Sequence, residues 1–423
     1  MLGAETTLDA LITRPAAAEV KDRSLASALE LTMKLGAALL GYGLPVHRLL
    51  EALERLSTAL GFEATFYVTP TGIIFTFGTG GDTRTRVVAA FPGDADLERL
   101  TALHALIGRV ERHEITAEDA SLRVDAILCR EPRYRGPVRV LAFGLLSLVA
   151  AQLLGGNPID LGVGASMGLG VGLLSALSRR VPTLGRLLPV VAAFLASVIA
   201  ISLARAGLPV QPSVLLLAAI MSTLPGLTMT IGMMELATAH LVSGTARIAG
   251  AIVTFLQLGF GIAVGHALAH ALFVAAAAEP ARTLPGWTHA LAPLGAALAF
   301  GVLLRVRPRD LGWVLLTCSL AVLASRGGGA FFGPEVGAFL GALLVGLVSH
   351  LFARWKDRPV LVLMVPGILM MVPGSIGFLG LSALLADDPS NAVRTAFDVL
   401  MIATALSTGV LLATVAVPPR RAL

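Results

Sequence analysis

The chain has 423 residues, 56% of them hydrophobic and 14% charged, with a mean hydropathy of +0.82 and a formal net charge of +5. Soluble domains carry about a quarter charged residues, so the deficit points to lipid exposure. The surplus Arg stands in short clusters between apolar runs, not in a patch interleaved with aromatics, which argues against a nucleic-acid partner.

Residues 1–23 read as a disordered leader without the apolar h-region of a cleavable signal peptide. Leu31, Leu35, Leu39, Leu49, Leu53, Leu56 and Leu60 recur at helical spacing over 25–60. Gly41, Gly43 and Pro45 interrupt that pattern, so two helices meet there at a tight turn. Ala64–Val68, Ile73–Phe77 and Arg86–Phe91 are β-branched or aromatic runs separated by turn residues, hence three strands. Helical stretches at 95–110 and 117–129 complete a small α+β domain over 24–136, and the basic stretch Arg130–Arg139 links it to the apolar remainder of the chain.

From Val138 the chain holds ten apolar segments of membrane length, near 138–155, 158–178, 187–205, 212–234, 244–275, 287–304, 310–325, 333–353, 359–385 and 394–417. A crossing needs about 20 such residues. With the N-terminus inside, fifteen Lys and Arg flank the cytoplasmic ends and four flank the outer ends. That bias supports ten spans with both termini and the small domain in the cytoplasm, in halves 137–278 and 279–423 of five spans each. Gly164-Ala-x-x-Gly168 recurs as Gly337-Ala-x-x-Gly341, and Pro225-Gly226 as Pro366-Gly367, with Pro373-Gly374 a turn later. Only the proline–glycine pair fits a five-plus-five duplication, whose odd span count would invert one half against the other.

Proline removes a backbone hydrogen bond and glycine tolerates the bend, so Pro225-Gly226 and Pro366-Gly367 read as helix breaks. Freed backbone dipoles at such breaks, with Thr228 and Thr230 beside the first, can hold a zwitterion; a plain kink is the alternative. Glu235 and Asp398 are acids within or at the end of apolar segments and are candidates to carry a proton. The structural alternatives are ion pairs, Glu235 with Arg247 and Asp398 with Arg394. His266 and His270 share a helix face without the Glu of a zinc motif, so no metal is expected. Cys129 and Cys318 build neither a disulfide framework nor a metal site. In the small domain His47 with Thr69 or Thr71 could make a hydrolytic pair, although turn chemistry explains the same residues. Gly78-Thr-Gly-Gly81 lacks the Lys-Ser/Thr of a nucleotide loop, and no cofactor is expected.

The chain resembles the threonine/serine exporter family, in which a soluble N-terminal domain precedes ten transmembrane helices. The resemblance runs from about residue 25 to 417 and is carried by Gly43-Leu-Pro-Val-His-Arg48, Val68-Thr-Pro-Thr71 and the stretch Leu224–Arg247. The last holds the family's proline–glycine break, an acid ten residues beyond the proline, and Ser-Gly-x-x-Arg, here Pro225, Gly226, Glu235, Ser243, Gly244 and Arg247. Many relatives have Asp where this chain has Glu235. The resemblance implies proton-driven export of threonine and serine. The inner membrane is the expected location, and Ser243, Arg247 and His47 are candidates for a cytoplasmic gate. Export of small dicarboxylates is the alternative it leaves, a membrane-anchored hydrolase the one the small domain leaves, and a homo-oligomer stays open.

Overall fold

The computed structural model describes residues 25–78, 83–91, 93, 95–272, 284–371 and 389–418; the expected leader over 1–23 lies outside them. The chain divides into a smaller unit that ends at Glu131 and a larger one that begins at Pro132.

In the smaller unit, helix α1 (25–41) and helix α2 (Val46–Ala59) meet at Gly43, whose φ of +83° suits a residue without a Cβ. Their leucines 31, 35, 39, 49, 53 and 56 are at most 1% exposed. They cover one face of an antiparallel sheet of β1 (Ala64–Thr69), β2 (Gly72–Phe77) and β3 (Arg84–Ala89). Phe66, Val68, Ile73, Phe75 and Phe77 fill that face. β3 begins and ends two residues earlier than the sequence pattern indicates. β2 starts at Gly72, whose partner is Ala89, so the ladder has nothing further to pair with. Helices α3 (Leu97–Glu111) and α4 (Ala117–Leu128) come next, capped by Asp96 and Thr116.

The larger unit is helical throughout its described residues: α5 (Gly136–Leu153), α6 (Pro158–Ser178), α7 (Pro182–Arg205), α8 (Pro212–Ile220), α9 (Gly226–Ala237), α10 (Leu241–Leu272), α11 (Ala292–Leu303), α12 (Leu311–Phe332), α13 (Pro334–Lys356), α14 (Leu361–Leu369) and α15 (Pro389–Ala416). Pro158, Pro182, Pro212 and Pro334 stand in the first turns of their helices, where a missing N–H costs nothing. Among the described residues eight helices are long and apolar enough to cross a membrane, or nine if the bent pair α8–α9 is one crossing. The tenth is not reached because the expected ninth segment, 359–385, is described only as far as residue 371. The expected short seventh segment is longer than the apolar run implies. It spans Pro308–Phe332 and takes in Arg326, which the charge pattern places in a loop. Three consecutive glycines do not end this helix; Gly333, at φ +95°, does.

Helices α5 and α11 pack antiparallel. Tyr134, ahead of α5, donates from its hydroxyl to the carbonyl of Val306, behind α11, at 3.0 Å. Gln152, near the end of α5, donates to the carbonyl of Thr288, ahead of α11, at 2.6 Å. These two bonds lie at opposite ends of α5, about 25 Å apart at 1.5 Å per residue. Other neighbours match across the unit: α5 packs on α6 as α11 does on α12, α7 on α10 as α13 on α15, and α6 on α8 as α12 on α14.

The turns that end α5 and α11 share one hydrogen-bond pattern. Gly155 N–H reaches Gln152 O and Gly156 N–H reaches Ala151 O; Arg305 N–H reaches Val302 O and Val306 N–H reaches Gly301 O. This is the Schellman closure, with positive φ at Gly155 (+81°) and Arg305 (+56°). Each turn runs into the same residues, Pro158-x-Asp160-Leu161-Gly162 and Pro308-x-Asp310-Leu311-Gly312, every pair 150 positions apart. The Gly-Ala-x-x-Gly pair noted in the sequence has a plainer basis. Gly168 packs on Ser147 and Phe143 of α5, and Gly337 on Ser325 and Gly329 of α12, so each ridge merely fits the helix before it.

Candidate functional site

Helix α8 passes through a 3-10 turn at Met221–Thr223 and is then bent by 55° into α9. Pro225 causes the break, since it has no N–H and its ring obstructs the carbonyl four residues earlier. Val214–Ile220 are buried, whereas residues 221–225 are all partly exposed. Thr223 Oγ1 donates to the carbonyl of Ile220 at 2.7 Å, and the buried Oγ of Ser222 has no hydrogen-bond partner among the described residues. Pro366 behaves otherwise. Helix α14 continues through Pro366 and Gly367, both buried, with Gly367 against Val345 and Thr317, so the expected matched break is not at that position. A proline that finds a snug apolar slot can be carried within a helix. Pro373-Gly374 lies outside the described residues.

On α9, Thr230 is fully buried, its hydroxyl donating to Gly226 O at 3.1 Å while its carbonyl accepts from Ser407 Oγ of α15 at 3.1 Å. Thr228 is half-buried. Nearly three turns after the break comes the most charged feature of the membrane unit. Glu235 is 0% exposed, and its Oε2 accepts from Ser243 Oγ at 2.7 Å and from Arg247 Nε at 2.9 Å. Ser243 and Arg247 lie one turn apart on α10, so they present to Glu235 from one face. The hairpin joining α9 to α10 is tight: Ala239 has φ +63° and His240 N–H donates to the carbonyl of Glu235 at 2.8 Å. Gly232 and Gly244 let the two helices approach closely enough for the pair, each lying where a Cβ would strike the partner helix. Arg247 is itself only 9% exposed, and its Nη2 has no hydrogen-bond partner among the described residues.

Asp398 is half-buried on α15, and no ion pair joins it to Arg394, whose side chain turns to the exposed side of the helix. The rings of His266 and His270 stack at 4.2 Å, and the Nδ1 of His270 is taken by the guanidinium of Arg205. His47 belongs to the smaller unit, on the first turn of α2, next to the buried Arg48. Burial lowers the Arg48 pKa from its ordinary value, partly offset by Glu51. Thr69 Oγ1 donates to the carbonyl of Gly72 at 3.0 Å and so closes the β1–β2 turn. A groove of about 630 Å³ lies between α6 and α7. Apart from Ser166 its lining is apolar or glycine, which suits a hydrocarbon chain and offers nothing to a zwitterion.

Sequence reading does not single out Ser407, Asp160 or Asp310. The first has no local signature. The two acids have one, the 150-residue recurrence of Leu-Leu-x-x-x-Pro-x-Asp-Leu-Gly.

A family model described as "Putative threonine/serine exporter" matches residues 30–269, and a second, described as "Threonine/Serine exporter, ThrE", matches residues 290–416. The chain belongs to the threonine/serine exporter family. It is a multi-pass membrane protein, and its family is one of exporters. Among curated proteins it is similar to pheromone-regulated membrane protein 10 of Eremothecium gossypii, 30% identical over 363 residues, which are 81% of this chain and 48% of the relative. The protein of the same name from Kluyveromyces lactis is 28% identical over 85% of this chain and 39% of its own length. That from Candida glabrata is 25% identical over 92% of this chain and 52% of the relative. The chain thus spans about half the length, or less, of these relatives. No solved structure matches it.

Proposed function

We propose that this protein is a secondary exporter that moves threonine and serine out of the cytoplasm in exchange for protons. In this reading it crosses the inner membrane ten times, with both termini and the smaller unit in the cytoplasm. The first five crossings and the last five are inverted copies. Support for the inversion comes from the two Schellman turns. They are equivalent in sequence and hydrogen bonding, yet the Tyr134–Val306 bond ties the second turn to the end of α5 opposite the first. The boundary between the two family models, between residues 269 and 290, falls at the same division.

The observation that carries the substrate reading is the buried Glu235–Arg247 pair, with one guanidinium nitrogen unengaged. A carboxylate beside a guanidinium is the complement of an amino acid's ammonium and carboxylate groups. A proton and the substrate ammonium compete for Glu235, and that competition is what antiport requires. The Pro225 break lets α9 swing with Glu235 while α8 stays in place. Dicarboxylates fit less well, because Glu235 repels their second charge.

The test is efflux of labelled threonine, serine and succinate from proteoliposomes, with and without an imposed pH gradient. Gradient-dependent efflux of both amino acids is expected. Movement of succinate alone would overturn the substrate, and efflux indifferent to the gradient would overturn the coupling. Glu235→Gln is expected to abolish the gradient dependence.

A further inference from the structure

Asp160 fastens two loops at one end of the membrane unit. It is fully buried; its Oδ2 accepts from the N–H of Asn157 at 3.0 Å and its Oδ1 from the N–H of Gln211 at 2.9 Å. Asn157 adds a bond from Nδ2 to the carbonyl of Pro209 at 2.8 Å. The loop between α5 and α6 is thereby clasped to the loop between α7 and α8 by the Asp160 carboxyl, which accepts from a backbone N–H of each, and by the Asn157 amide.

Asp310 occupies the equivalent place 150 residues later and is equally withdrawn, at 5% exposure. Nothing clasps it. Its Oδ2 is buried without a hydrogen-bond partner, and no hydrogen bond or ion pair reaches its carboxylate among the described residues. The counterpart of Gln211 is Arg358. Each directly precedes the proline, Pro212 or Pro359, that leads into the next helix, the second loop being three residues shorter so that these pairs are 147 apart. Each comes after a residue of positive φ, Gly207 (+86°) or Asp357 (+50°), again 150 apart. Arg358 likewise has no hydrogen-bond or ion-pair partner among the described residues. A buried carboxyl oxygen without a donor is costly, so the fold gains from a second arrangement that satisfies it.

We infer that Asp160 and Asp310 are alternating gate latches. In the present conformation Asp160 fastens its two loops through Gln211. When that clasp opens, the loop of Arg358 closes onto Asp310, whose carboxylate then accepts from the Arg358 backbone and guanidinium. One end is fastened only while the other is free, which keeps a passage from opening to both sides together. The inference rests on the exporter reading for what passes, and not for the motion itself.

The motion is read by disulfide formation in the full chain in proteoliposomes, with Cys129 and Cys318 replaced by Ser. One cysteine pair, Ile159→Cys with Gln211→Cys, reports on the first clasp, in which Gln211 acts only through its backbone; the other, Arg309→Cys with Asp357→Cys, reports on the second and leaves Arg358 in place. Asp160→Ala is expected to lower cross-linking of the first pair and raise that of the second by roughly tenfold, the shift from losing a clasp of ordinary strength. Asp310→Ala is expected to do the reverse, and Asp310→Asn, which keeps an acceptor, to stay near the parent. Monodispersity in detergent separates a misfolded variant from a shifted one. Yields of the second pair that ignore Asp160, or both pairs trapped in one molecule, would overturn the latch. So would an Asp310→Asn variant that loses gradient-driven efflux with cross-linking unchanged, which would make Asp310 a proton carrier. Cross-linking needs no substrate, so a parent protein that exports neither amino acid sinks the exporter reading and leaves the latch result standing.

Discussion

Arg247 Nε and Glu235 Oε2 lie 2.9 Å apart with both side chains almost entirely withdrawn from solvent. Removing one member of such a pair strands the other charge, at a cost of about 3–5 kcal/mol, while replacing both with apolar side chains is close to neutral. Glu235→Leu and Arg247→Met are therefore each expected to lower the unfolding temperature in detergent well below that of the parent. The double variant should recover most of the loss. A double variant as unstable as the sum of the singles would mean that the two residues do not act as a pair.

Helix α6 offers an internal comparison between two glycines half a turn apart. A Cβ on Gly168 would collide with Ser147 and with the carbonyl of Phe143 on α5, whereas a Cβ on Gly170 meets nothing within 4 Å. Gly168→Ala is expected to cost about 1–3 kcal/mol through overpacking. Gly170→Ala should be neutral or slightly stabilising, because alanine favours the helix. Titrated unfolding in mixed micelles measures both, and equal effects would contradict the packing seen between α5 and α6.

Much of this architecture is legible in the sequence because hydrophobic length is a robust signal. α6 runs over Pro158–Ser178, the span its apolar run indicates, and the leucine spacing of 25–60 marks the two helices of the smaller unit. The seventh span outruns its apolar segment because Arg326 mimics a boundary, although a long side chain at a helix end can extend its charge away from hydrocarbon. The Glu235–Arg247 pair is readable as a structural alternative, since the two residues flank a hairpin turn. Pro366 is illegible for a physical reason. Whether proline breaks a helix depends on what receives the freed carbonyl and fills the space, and the residues that close around this segment, such as Val345 and Thr317 against the adjacent Gly367, are invisible in sequence.

Lys34 makes a prediction in the smaller unit. Its Nζ meets Asp125 at 2.8 Å, Glu30 at 2.9 Å and Ser121 at 3.0 Å, and so ties α1 to α4. The hydrogen bond to Asp125, then that to Glu30, raises its pKa above the ordinary 10.5. A raised folded-state pKa means the contribution is fully present below the unfolded value and is lost as pH climbs through the raised one. The difference in unfolding temperature between parent and Lys34→Met should hold steady from about pH 7 to pH 9 and shrink only at stronger alkalinity. A difference that shrinks between pH 7 and 9 would show that the ammonium is not what holds the two helices.

The two membrane prolines give the sharpest functional contrast. Pro225 stands at a 55° bend between α8 and α9, with partly exposed residues on its N-terminal side; Pro366 stands inside α14, with its surroundings closed. Alanine at 225 restores an N–H that can pair with the carbonyl of Met221, which favours a straight helix and stiffens the joint that carries Glu235. Alanine at 366 changes no bend. Pro225→Ala is therefore expected to slow amino-acid efflux by on the order of tenfold with folding intact, if the hinge contributes about 1.4 kcal/mol to the limiting step. Pro366→Ala should stay within about twofold of the parent on the same scale. Initial efflux rates from proteoliposomes at matched protein density decide between them. If Pro366→Ala proves the slower of the two, the moving joint belongs to the second half and the role given to Pro225 is wrong.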